Sequence, residues 1–133
     1  MFKLNHISVT LAQKLAEVLK RDGTPTENRV LILSPKDQDT KVGGIIIPGQ
    51  TKEGVPREGV VIFPGPITED YTTYKGMVNT GVVVTYGLYA GKEVDLWEPL
   101  KLTDIELTED KWEFTVLALN EIIYVRENKM FKQ

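Results

Sequence analysis

The chain has 133 residues, is 41% hydrophobic, carries a formal net charge of −3 and contains no cysteine. One domain with a real core is expected, and disulfides, thiol catalysis and cysteine-ligated metal are excluded. No Lys/Arg run marks a nucleic-acid partner, and no apolar run approaches the roughly 20 residues of a membrane span.

His6 is the single histidine, so a histidine metal site within one chain is not expected. The N-terminus, MFKLNHISVT, lacks the apolar core of a signal peptide. These features together predict a soluble cytoplasmic domain with no metal and no cofactor.

Residues 1–23 read as a helical extension. Thr10 with Gln13 three residues later resembles a capping box. Leu11, Leu15, Val18 and Leu19 then fall at i, i+4, i+7 and i+8. Lys20 and Arg21 suit a helix C-terminus, and Gly23 can stop it. The spacing predicts a helix over 11–21. Such a short helix is marginal alone in water, so its apolar face needs a surface. Its own barrel or a neighbouring subunit can supply that surface.

After Pro25 the pattern turns to β. Apolar, β-branched and aromatic runs fall at 29–33, 59–63, 81–86, 92–96, 112–119 and 121–125, with Gly/Pro punctuation between them. That grammar predicts a small barrel or sandwich. Two connections exceed what a hairpin needs, 36–58 and 67–80, and loops of that length are usually functional or disordered.

The first of these loops holds the most informative stretch, VGGIIIPG over 42–49. Ile45, Ile46 and Ile47 stand in a row between Gly43-Gly44 and Pro48, inside an otherwise polar segment whose charges cancel. Burying one such side chain is worth roughly 1.5–3 kcal/mol. Either the core of this protein or a partner's groove is expected to cover the triplet. The surrounding segment is expected to be mobile when free, with proteolysis at Lys41, Lys52 or Arg57.

Catalytic signals are weak. Asp104, Glu106, Glu109 and Asp110 cluster, but such clusters are usually a solvated face. No GxGxxG follows a strand, there is no P-loop, and Gly43-Gly44 lacks the basic residue and helix N-terminus of a phosphate cradle. Ser8 and Ser34 with His6 lack an identifiable supporting acid for a triad. Tyr86 and Tyr89 have only Lys92 as a basic neighbour, too little for a nucleic-acid stacking platform. No catalytic residue is assigned and the chain is read as a non-enzyme.

In order, these pieces resemble the GroES co-chaperonin family. NRVLILSP (28–35) looks like its first strand. KVGGIIIPG (41–49) is similar to its Gly-Gly-Ile-aliphatic loop motif. TKEGVPREGVVIFPGP (51–66) resembles its return from the loop, a Gly-Val-Val strand and a Gly-Pro turn. YGLYAGKEVDL (86–96) and EIIYVRE (121–127) resemble its later blocks. The extension 1–23, the sequence of 67–80, the long segment between Leu96 and Trp112, and the tail 128–133 depart from the family pattern. A bacteriophage-encoded or otherwise specialised member fits these departures.

The resemblance implies a mainly β, GroES-like irregular barrel over 24–127, with a mobile loop over 36–58 and a roof hairpin over 67–80. It implies a ring of seven that caps a GroEL-type chaperonin and encloses client proteins, with ATP handled by the chaperonin. Docking falls to Gly43, Gly44, Ile45, Ile46, Ile47 and Pro48. Subunit pairing falls to Arg29, Val30, Leu31, Ile32 and Leu33 at one end, and to Ile122, Ile123, Tyr124 and Val125 at the other. The alternative is a ring-forming phage structural or decoration protein with a small barrel and an apolar arm. An alcohol-dehydrogenase relative is excluded, because 133 residues cannot hold its nucleotide-binding domain.

Overall fold

The computed structural model describes residues 7–36, 41–42, 45–46, 56–66, 76–87 and 90–127. Of residues 41–42 and 45–46 only the backbone is described. His6, Tyr89, most of the expected roof hairpin and the tail 128–133 lie outside the described residues.

A helix, α1 (Val9–Lys20), precedes eight strands: β1 (Arg29–Pro35), β2 (Lys41–Val42), β3 (Ile45–Ile46), β4 (Pro56–Pro64), β5 (Val83–Gly87), β6 (Lys92–Val94), β7 (Trp112–Ala118) and β8 (Ile122–Arg126). A 3₁₀ turn, Glu98–Leu102, fills the long segment between β6 and β7.

Six strands form one antiparallel sheet in the order β6-β7-β1-β4-β5-β8, and β2 pairs with β3. The chain is mainly β, as expected, but the sheet does not close: β6 and β8 are its two ends.

Strand β1 shows why the sheet sits where it does. Val30, Leu31, Ile32 and Leu33 are all buried. Alternate residues face opposite sides of a strand, so Leu31 and Leu33 enter one apolar cluster and Val30 and Ile32 the other. An apolar run without alternation thus marks a strand covered on both faces.

The first cluster lies under α1. Ala12, Leu15, Ala16 and Leu19 pack with Leu31, Leu33, Val60, Ile62 and Phe63, and with Trp97, Trp112 and Phe114 from the other end of the chain. The rings of Trp97 and Phe114 meet at 4.8 Å. The second cluster gathers Val61, Val78, Val84, Tyr86, Leu117 and Leu119 around Val30 and Ile32.

The helix therefore packs on its own sheet, which resolves the two readings of its stripe. Its start also differs from the sequence expectation. Ser8 is the N-cap, accepting from Leu11 N at 3.1 Å, and Thr10 lies inside the first turn. Ile7 before the cap and Ala12 four residues into the helix are both buried in the same cluster, the staple arrangement that fixes how a chain enters a helix.

Gly65 closes the approach to β1. Its N–H donates to Arg29 O at 2.8 Å, and a Cβ there would collide with the Pro25 carbonyl oxygen.

Candidate functional site: the loop base and the open edge

Between β1 and β4 the chain leaves the sheet at Pro35 and returns at Pro56. Within that excursion β2 and β3 pair antiparallel, Lys41 opposite Ile46 and Val42 opposite Ile45. The backbone of Ile45 and Ile46 is therefore extended, as β-branching favours. Gly43, Gly44, Ile47 and Pro48 lie outside the described residues.

The base of the excursion is polar and partly enclosed. Arg57, Tyr86, Gly91, Glu93, Glu113 and Thr115 line a cavity of about 230 Å³. Arg57 Nη2 donates to Pro35 O at 2.7 Å and sits 3.4 Å from Glu113 Oε1. Its side chain is 11% exposed, so the expected cleavage at Arg57 is corrected: this residue belongs to β4. Sequence reading missed its role because Pro35, its acceptor, is 22 residues away, and no local pattern records such a contact.

Among the described residues, the buried Tyr86 hydroxyl, Ser34 hydroxyl and Arg57 Nε lack a hydrogen bond of good geometry. Burial pushes the Tyr86 hydroxyl pKa above its usual 10.0; the nearby Ser34 hydroxyl and the Arg57 charge pull the other way, and Glu113 raises it. Tyr86 is thus a core residue with a polar tip.

The expected interface residues separate in space. β1 lies between β7 and β4, with Arg29 to Pro35 paired to β7 and Val30 to Leu33 also to β4. Val30 to Leu33 are therefore paired on both sides within the chain. β8 differs. Among the described residues it pairs with β5 alone, and Ile123 and Tyr124 are 70% and 62% exposed. The register steps from Thr85↔Tyr124 to Tyr86↔Ile122, which leaves Ile123 as the extra residue of a bulge. Arg126 at its end reaches Glu58 through Nε at 3.0 Å and Nη2 at 2.9 Å.

The turn between β7 and β8 is held from within. Glu121 accepts from Ala118 N at 2.9 Å and from Gly91 N at 3.1 Å, so one carboxylate ties this turn to the start of β6.

Among the described residues no group of three or more His, Asp or Glu side chains converges as a metal site. Asp110 in the acidic segment is explained locally: a hydrogen bond from Thr108 holds its carboxyl below the usual range. Among the described residues no helix is long and apolar enough to cross a membrane.

The family model of the chaperonin 10 kDa subunit matches residues 23–125, from just after α1 to the end of β8. The chain belongs to this family. Curated members resemble it at moderate identity. A co-chaperonin GroES of Exiguobacterium sibiricum is 40% identical over 72 residues, 53% of this chain and 76% of the relative. A co-chaperonin GroES 1 of Rhodopirellula baltica is 31% identical over 84 residues, 62% of this chain and 82% of the relative. A co-chaperonin GroES of Bacteroides fragilis is 39% identical over 72 residues, 54% and 76% respectively. The chaperonin 10 match leaves α1 outside, yet α1 supplies part of the core on which the matched strands rest.

Proposed function

We propose that this chain acts as a GroES-type co-chaperonin in the cytoplasm. Seven copies form a ring, the ring caps a GroEL-type chaperonin, and a client protein folds in the enclosed chamber. The chaperonin, not this chain, binds and hydrolyses ATP. The observation that carries this reading is the family match over 23–125, which spans both the isoleucine-bearing excursion and β8.

Ile45, Ile46 and Ile47 dock in an apolar groove of the chaperonin, presented by Gly43 and Gly44 and followed by Pro48. Three isoleucines gain roughly 4–9 kcal/mol gross when buried. Ordering each backbone residue costs roughly 1–2 kcal/mol, so fixing half a dozen residues offsets most of that gain. One excursion alone binds weakly. Several on one ring bind by avidity, since each later contact forms at high effective concentration. Weak single contacts also allow release when the chaperonin changes state.

The test is capture of a GroEL-type chaperonin by the intact protein with and without nucleotide, beside the variant Ile46→Asp. A carboxylate in an apolar groove must be desolvated, so the variant is expected to lose capture and client refolding while its sedimentation is unchanged. A variant that still refolds clients overturns the docking assignment. A wild-type ring that ignores the chaperonin supports a structural or decoration role instead.

A further inference from the structure

We propose that Arg57 is a positioning residue that holds the two feet of the 36–55 excursion together, and so sets the strength of docking without touching the chaperonin. The affinity part rests on the co-chaperonin reading; the positional part does not.

The sheet splits at this place. The β1–β4 ladder runs from Val30↔Pro64 to Leu33↔Val60 and stops there. Beyond it Ser34 and Pro35 stay paired to Glu113 and Trp112 of β7, while Pro56, Arg57 and Glu58 pair with Gly87, Tyr86 and Thr85 of β5. Lys36 N continues the β7 side by donating to Lys111 O at 2.9 Å. The outgoing foot thus belongs to β7 and the returning foot to β5.

The guanidinium of Arg57 spans the split. From the returning foot it donates to the carbonyl of Pro35, the last residue of the outgoing one, at 2.7 Å. The same nitrogen lies 3.4 Å from Glu113, the residue opposite Ser34 on β7. One side chain therefore links β4 to β1 and β7 where the β1–β4 backbone pairing has ended.

Stability alone does not require this arrangement. The pair is largely withdrawn from water, and Arg57 Nε has no partner among the described residues. Buried ion pairs are commonly no better for stability than apolar residues of similar volume. What the fork provides is a fixed geometry. With the feet held, docking orders only the excursion. With the feet frayed, it must also order the residues flanking it, and each added residue weakens a single contact about tenfold. A ring multiplies that loss across its contacts.

The test uses the full chain with Arg57→Met, Arg57→Lys and Glu113→Gln, followed by amide hydrogen exchange and by titration against the chaperonin with nucleotide. Arg57→Met is expected to speed exchange at Lys36, Arg57 and Glu58, leave Val61 and Leu117 protected, and weaken capture at least tenfold. Arg57→Lys and Glu113→Gln, which keep most of the packing, are expected to fall between wild type and Arg57→Met in both measurements. Unchanged exchange at the feet overturns the clamp. So does an increase spread evenly over the core, which marks an ordinary stability residue. Loosened feet with unchanged capture overturn the link to docking. Ile46→Asp serves as the control, because it is expected to lose capture while exchange at the feet stays as in wild type. If Ile46→Asp still captures chaperonin, the docking reading fails while the exchange result still decides the clamp.

Discussion

Tyr86 sits in the middle of β5 with its ring in the second apolar cluster and its hydroxyl at the polar cavity. The hydroxyl is buried, with the Ser34 hydroxyl near it but no hydrogen bond of good geometry among the described residues. A buried polar group without a partner costs roughly 1–3 kcal/mol. Phenylalanine keeps the ring and removes that cost. Tyr86→Phe is therefore expected to leave the unfolding free energy unchanged or raise it by about 1 kcal/mol, read from chemical denaturation. A loss of more than about 1 kcal/mol would mean that the hydroxyl is satisfied in solution. The pH dependence follows from the same burial. The folded hydroxyl pKa lies above the unfolded value of 10.0, so the folded state favours the protonated form. That contribution is complete below the unfolded pKa and is lost as pH rises through the folded one. Above pH 10 the wild type is expected to lose stability faster than Tyr86→Phe.

At the scale of elements, α1 shows what a short helix gains from a sheet. Leu15 is fully buried in the first cluster beside residues of β1 and β4. Leu15→Ala removes most of that contact and leaves a cavity, a change that costs roughly 2–5 kcal/mol. An unfolding free energy within about 0.5 kcal/mol of wild type would show that the Leu15 contact does not hold α1 to the sheet. Much of this element was legible: the i, i+4, i+7, i+8 stripe located it within a few residues. Its cap was not, because Thr10 with Gln13 has the capping-box pattern while Ser8, the observed cap, has Leu11 three residues on. Ile7 and Ala12 are both buried in the first cluster, and that burial depends on the assembled sheet. The β2–β3 pairing carried a signal that periodicity overlooks. A Gly-Gly dipeptide between β-branched residues, Val42 and Ile45, is a hairpin pattern. Strand β1 carried another: an apolar run with no alternation belongs in the middle of a sheet, not at an edge. Strand order itself is nonlocal, so the Arg57–Pro35 contact and the neighbours of β1 follow only from the assembled fold.

At the scale of the whole molecule, β8 is the strand most in need of a partner. One side of its backbone pairs with β5, and the other has no strand beside it among the described residues. Exposed edges promote pairing between chains unless something covers them. Ile123 and Tyr124 make this one apolar as well as open. A ring requires a heterologous contact, one surface meeting a different surface on the next subunit. β1 is already paired on both sides within the chain, which favours another segment of the neighbouring chain as that second surface. If instead β8 pairs with β8 of a second copy, the contact is isologous and closes as a dimer. Sedimentation separates the two: a co-chaperonin is expected to run as a seven-membered ring, and a β8–β8 pair as a dimer. Burying two large apolar side chains at each contact is worth roughly 3–6 kcal/mol. Replacing both by lysine removes that gain and places charge at the contact. The double variant Ile123→Lys, Tyr124→Lys is therefore expected to weaken each subunit contact by at least about a hundredfold. It should sediment as a monomer at concentrations where wild type is assembled. Both side chains already face water in the single chain, so its circular dichroism and denaturation midpoint should match wild type. Undiminished assembly would place the subunit contact elsewhere on the molecule.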